Sequence, residues 1–135
     1  MNEFHVDGYT VGSNPSEFGG GFTVFKNGVL LNTNPVHKYA FTNNEAELLA
    51  MHSACLQADK GDRIVTDSQN TMSWIANGKS KARPDLNLMC LECKNLIHRK
   101  FLKVVWKPRD YNLAGKYNET VIKKLPSTDI HSPIC

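Results

Sequence analysis

Arg63-Ile64-Val65-Thr66-Asp67-Ser68-Gln69 is the stretch that decides the fold. Ile64, Val65 and Thr66 are all β-branched, which favours an extended backbone and a short strand of the buried type. Asp67 follows directly at its carboxyl end. From Ser68 the pattern changes to a short helix over residues 68–75, stopped by Asn77-Gly78. Working outward from this strand–helix junction, the chain arranges itself on both sides.

Upstream lies a helical segment. Thr42-Asn43-Asn44-Glu45 carries a Ser/Thr–Glu pair at capping-box spacing. The good helix formers Leu48, Leu49, Ala50, Met51, Ala54 and Leu56 follow, so a helix is predicted over 46–58, stopped by Lys60-Gly61-Asp62. Before it the chain reads as strands: residues 3–10, 22–25 and 29–32. Asn27-Gly28 sits between the last two and is a strong hairpin signal, because both residues tolerate positive φ. Downstream, Lys79 to Arg83 form a basic loop. Pro84-Asp85 opens a further helix with Leu88, Leu91, Leu96 and Ile97 among its apolar residues. A last strand is predicted over 102–106 and a last helix over 112 to about 125. Strands joined through helices imply right-handed crossovers and parallel pairing. The predicted fold is therefore α/β: a mixed five-stranded sheet with strands 1–3 antiparallel, strands 1, 4 and 5 parallel, and helices on both faces.

The 135 residues suit a single domain, placed at 1–125 with a C-terminal tail at 126–135. A hydrophobic content of 41% supports a core without disulfides. The net charge of +3 and pI near 8.7 are compatible with a polyanionic partner and do not establish one. No stretch is long and apolar enough for a membrane span. The opening Met1-Asn2-Glu3-Phe4-His5 lacks the plan of a secretory signal, so a cytoplasmic location is expected. Cys55, Cys90, Cys93 and Cys135 do not form a disulfide pattern. Cys90 and Cys93 form a CxxC with no second ligand pair, and are read as small buried groups on a helix rather than a zinc site.

Two aspartates carry the chemistry. Asp7 ends a β-prone run and Asp67 comes directly after the fourth strand; parallel neighbours would bring both to the carboxyl edge of the sheet, where open α/β folds bind ligands. Glu47 shares a helical face with Asn43. Three converging carboxylates repel one another unless a cation sits among them, and an all-oxygen set favours Mg²⁺ or Mn²⁺ over zinc. Taken singly, each aspartate is more often a turn or capping residue. Asp67 in particular could cap the helix at Ser68.

Three local motifs change that balance. Asp7-Gly8-Tyr9-Thr10 with Asn14-Pro15 and Gly19-Gly20-Gly21 resembles the opening of the type I ribonuclease H family. Thr42-Asn43-Asn44-Glu45-Ala46-Glu47-Leu48 resembles its first helix, and Thr66-Asp67-Ser68-Gln69 its fourth strand. The motifs keep the family's order and spacing over roughly residues 4–119. The resemblance implies an endonuclease that hydrolyses the RNA strand of RNA–DNA hybrids with two Mg²⁺ or Mn²⁺ ions. It places Asp7, Glu47 and Asp67 on metal-binding carboxylates. Asn14, Asn43, Asn44, Ser68 and Gln69 fall on or beside positions that meet the hybrid's minor groove. Membrane association is not expected, and a monomer is.

Two departures from the family pattern stand out. A fourth carboxylate is usual four residues after an Asn early in the last helix, but counting from Asn112 reaches Lys116, with Gly115 before it. Glu119 is the nearest acid and a candidate fourth ligand; Asn118 is a weaker candidate. Second, the loop before that helix carries Lys107-Pro108-Arg109-Asp110, resembling the Pro-Arg variant that lacks a catalytic histidine. Arg109 is the candidate for neutralising the scissile phosphate, and pairing with Asp110 is its plainer reading. Lys79 and Lys81 are candidate phosphate contacts that read equally well as solvated surface. Trp106, at the end of an apolar strand, is expected in the core. Two rival readings remain: a binding module on the same fold without turnover, and a resolvase or exonuclease relative.

Overall fold

The structure is a computed structural model that describes residues 1–122. The predicted tail at 126–135, with Cys135, and positions 123–125 of the predicted last helix lie outside the described residues. Five strands form one sheet in the order β3-β2-β1-β4-β5. They are β1 (Glu3–Thr10), β2 (Gly20–Lys26), β3 (Val29–Val36), β4 (Arg63–Thr66) and β5 (Lys103–Trp106). β1, β2 and β3 pair antiparallel; β4 pairs parallel with β1 and β5. The expected mixed sheet is therefore present. Asn27 and Gly28 turn the β2–β3 hairpin with φ of 52° and 82°. β2 and β3 run further than their apolar runs suggest, because the extension is fixed by pairing rather than by hydrophobicity.

The helices are α1 (Asn43–Gln57), α2 (Gln69–Asn77), α3 (Asn87–Lys100) and α4 (Leu113–Tyr117). α1 starts three residues before its predicted first residue, at a cap where Thr42 Oγ1 accepts from the Glu45 amide at 3.1 Å. Only half of the capping box forms. Glu45 turns its carboxylate to Lys38 and Arg83 instead. Ser68, not Asp67, caps α2, accepting from the Thr71 amide at 3.1 Å. That frees the Asp67 side chain. Gly78 closes α2 in the left-handed region at φ 74°.

The main core lies on one side of the sheet. Phe4, Val6, Val24 and Ile64 pack there against Leu48 and Met51 of α1, and Cys90, Cys93 and Leu96 of α3. The three cysteines Cys55, Cys90 and Cys93 are free and buried, as expected for packing groups. Burial raises the pKa of the Cys90 thiol, which makes it a poor nucleophile or ligand. The buried stripe of α3 runs through the cysteines, so Leu88 and Leu91, read as part of its apolar face, are exposed. α4 and the turn after it cover the other side more thinly, where Tyr117 and Ile122 pack with Tyr9 and Val11. Trp106 corrects its expected place. It is 41% exposed and donates from Nε1 to the Asp67 carbonyl at 3.0 Å, because β5 is an edge strand and its end has no layer above it. Among the described residues no helix is long and apolar enough to cross a membrane.

Candidate active site

The parallel register of β1 and β4 pairs Phe4 with Ile64 and His5 with Val65. Continued by two residues, it places Asp7 beside Asp67. α1 supplies the third acid because Gly8 lets it approach: a Cβ at Gly8 would lie 2.4 Å from the Ala46 carbonyl carbon and 2.5 Å from the Glu47 amide. One ligand oxygen from each of Asp7, Glu47 and Asp67 lies within 4.8 Å of the others. The sequence-derived triad is thus brought together.

The acids are buried: Asp7 fully, Glu47 at 2% exposure, and the Asp67 side chain at 8%. Burial, then the neighbouring Asp7 charge, raises the Glu47 pKa well above the carboxylate range. Asp67 is pushed up to about 6 by burial and Asp7, with Arg109 opposing. Glu47 Oε2 and Asp67 Oδ2 accept no hydrogen bond. Two buried carboxylate oxygens without donors are costly in a finished hydrogen-bond network. They are what a small hard cation requires, so the donor set fits Mg²⁺ or Mn²⁺.

Arg109 enters the cluster from the loop between β5 and α4. Its Nη2 donates to Asp7 Oδ1 at 3.2 Å. Its Nε lies 3.3 Å from Asp67 Oδ2, close enough for ion pairing although not aligned to donate. The partner expected on the plainer reading, Asp110, is not used. Gly115 makes room: a Cβ there would be 3.0 Å from Asp67 Oδ2 and 3.4 Å from Arg109 Cγ. Burial works against the Arg109 charge, but Asp7 and Asp67 outweigh it and raise its pKa.

Asn112 anchors α4. Its Nδ2 donates to the Val6 carbonyl at 2.8 Å, and its Oδ1 accepts from the Ala114 and Gly115 amides. α4 then passes into a π-helical turn, Asn118–Ile122. Asn118 is fully buried and donates from Nδ2 to Asp7 Oδ2 at 2.9 Å. Glu119 stays outside the cluster; its side chain is 61% exposed and its carboxylate lies 4.0 Å from Arg109 Nη1. Lys116 is exposed. The described residues therefore bring three carboxylates together, with an amide where a fourth acid was sought.

The candidate substrate residues lie on the β1–β2 loop, at the starts of α1 and α2, and on the loop after α2. Asn14 Oδ1 accepts from the Asn43 amide at 2.9 Å, which ties the β1–β2 loop to the start of α1. Asn44 Oδ1 accepts from Asn70 Nδ2 at 3.3 Å, linking α1 to α2. Gln69 is exposed, and Ser68 spends its hydroxyl on the α2 cap. Lys79 and Lys81 are exposed on their loop. Arg83 from the same loop is committed elsewhere, to Thr42 Oγ1 at 3.1 Å and Glu45 Oε1 at 3.0 Å. Sequence reasoning missed Thr23, whose buried hydroxyl donates to Asn118 Oδ1 at 2.5 Å. Its position opposite Asp7 in the β1–β2 register is the signal that could have found it.

Three buried carboxylates at the carboxyl edge of a mixed five-stranded sheet define a class of protein: an α/β domain with an acidic cluster able to hold a divalent cation. The particular family follows from the sequence: the RNase H family model matches residues 2–112, and the chain belongs to that family. Solved structures agree on the fold. LC11-RNase H1 in complex with an RNA/DNA hybrid is 21% identical, with a TM-score of 0.67, covering 93% of this chain and 100% of that one. The N-terminal RNase H domain of rv2228c from Mycobacterium tuberculosis is 19% identical at a TM-score of 0.65, covering 84% and 91%. RNase H1 from the halophilic archaeon Halobacterium salinarum NRC-1 is 20% identical at 0.62, covering 84% and 89%. A comparison with curated proteins finds no match.

Proposed function

We propose that the protein is a metal-dependent endonuclease that hydrolyses the RNA strand of RNA–DNA hybrids. The observation that carries this reading is the triad itself: Asp7, Glu47 and Asp67 within 4.8 Å, with two of their buried oxygens lacking any donor. These residues would hold Mg²⁺ or Mn²⁺. Bound as a pair, such ions lower the pKa of an attacking water and stabilise the leaving oxygen of a phosphodiester.

The chain's own groups do the rest. Arg109, one-third exposed and already among the acids, is placed to pair with the scissile phosphate once cations take over the carboxylates. Asn14, Asn43, Asn44, Ser68 and Gln69 offer short polar groups suited to sugar hydroxyls and base edges in a shallow minor groove. Lys79 and Lys81 add phosphate contacts without sequence preference. Glu119, 4.0 Å from Arg109 Nη1, is the nearest further acid on α4's side of the site and the candidate fourth ligand. A monomer acting on a hybrid, with the whole activity in one domain, completes the proposal. LC11-RNase H1, solved with an RNA/DNA hybrid, gives the precedent for the partner.

The test is cleavage of a labelled RNA–DNA hybrid at low salt, with Mg²⁺ and Mn²⁺ tried separately, beside duplex DNA, duplex RNA and single strands. The expected result is metal-dependent cutting of the hybrid's RNA strand alone. Cutting of duplex DNA in its place would move the reading to a nuclease of different substrate. The Asn118 amide beside Asp7, where a fourth acid was sought, favours a second reading: hybrid binding without turnover. It requires salt-sensitive binding and no product in either metal.

A further inference from the structure

Asp7, Asn118 and Thr23 are all fully buried, and hydrogen bonds join them in one chain. The Asn118 amide nitrogen donates to Asp7 Oδ2 at 2.9 Å. The other end, Oδ1, therefore faces Thr23, whose hydroxyl must donate to it. With its proton spent there, Thr23 Oγ1 can only accept from Thr33 Oγ1, 3.0 Å away. Asp7, Thr23 and Thr33 sit in one row across β1, β2 and β3, since Asp7 pairs with Thr23 and Thr23 with Thr33.

We infer that Asn118 is a positioning residue for the metal site rather than one of its ligands, acting at the end of a directed relay from Thr33 through Thr23 and Asn118 to Asp7. The inference rests on the metal-site reading proposed above. Oδ1 is the only Asn118 side-chain atom able to bind a cation, and it is turned away and occupied. What Asn118 presents to the cluster is a donor. That donor takes one lone pair of Asp7 Oδ2 and fixes the carboxylate's rotation, leaving Oδ1 of Asp7 aimed at the cluster beside Arg109. The buried sheet holds Thr23 still, so the relay transfers the rigidity of β2 to the ligand. Orienting groups of this kind typically change metal affinity or activity by roughly 10–100-fold.

The test is calorimetric titration of Mn²⁺ into the metal-free protein, with a thermal melt of each variant. Thr23→Val keeps the shape and removes the hydroxyl; Thr23→Ser keeps the hydroxyl; Asn118→Ala removes the donor. The expected result is Mn²⁺ binding weakened about tenfold in Thr23→Val and Asn118→Ala, and near wild type in Thr23→Ser. In hybrid cleavage the first two should lose kcat with KM unchanged. Should Asn118→Ala fail to fold, the threonine pair decides. A folded Thr23→Val that binds Mn²⁺ like wild type overturns the inference. So does a loss in Asn118→Ala alone, which would mean direct ligation. A wild-type protein that takes up no Mn²⁺ overturns the metal-site reading, and this inference with it.

Discussion

The Arg109 guanidinium lies 3.2 Å from the Asp7 carboxylate, so the cluster carries its own cation. One side chain partly neutralises acids that arrive from three different elements. A divalent ion entering the site must compete with that charge. Removing Arg109 therefore has opposite effects on the two states. Without metal, Arg109→Ala should lose stability by about 1 kcal/mol, reduced from a buried-pair value because the side chain is one-third exposed. With Mn²⁺ present the deficit should shrink or reverse, since the ion meets less competition. Thermal melts of both proteins with and without Mn²⁺ measure the difference. An equal deficit in both conditions contradicts the competition.

Acidification should release the metal. Asp67 has a pKa near 6 and Glu47 one well above the usual range, both raised first by burial. In the unfolded chain both groups ionise near their ordinary values. Between those values and the folded ones, the folded protein binds more protons, so these two groups make metal-free stability fall as pH rises through that window. Metal needs the deprotonated forms, so its stabilisation grows with pH over the same range. The gain in Tm on adding Mn²⁺ should be large at pH 7.5 and small at pH 5. A gain independent of pH would place the ion elsewhere.

Gly8 sets the distance between β1 and α1. A Cβ 2.4 Å from backbone has nowhere to move. Gly8→Ala should destabilise the protein by about 1–3 kcal/mol or more and pull Glu47 out of the triad. Chemical denaturation and Mn²⁺ titration of the same sample check both consequences.

Lys79 and Lys81 make a salt-dependence prediction. If both contact phosphate, replacing the pair with alanine should reduce the slope of log K against log salt for hybrid binding by about 2. An unchanged slope assigns the loop to solvent.

Much of this site was legible in the sequence because its parts are local. Ile64-Val65-Thr66 before Asp67, and Thr42 three residues before Glu45, each specify a strand end or a helix start from neighbouring residues alone. Asp7, Glu47 and Asp67 then meet because the fold has few ways to connect such elements. Thr23 was not legible, since its role depends on the cross-strand register of β1 and β2, which the loop geometry decides. The π-helical turn at Asn118–Ile122 was equally hidden, and with it the choice of Asn118 over Glu119. Trp106 looked like core because its neighbours are apolar; only the strand order shows that β5 is an edge. Arg109 was read as a residue that neutralises the scissile phosphate, and its pairing with Asp7 and Asp67 emerged from the three-dimensional arrangement.

The most direct test compares Asp67→Asn with wild type on one labelled RNA–DNA hybrid, recording cleavage in Mg²⁺ and Mn²⁺ and binding in the absence of metal. Asn keeps the shape and removes the charge that a cation needs. The expected result is cleavage by wild type, none above background by the variant, and comparable hybrid binding by both. Undiminished cleavage by Asp67→Asn would contradict it.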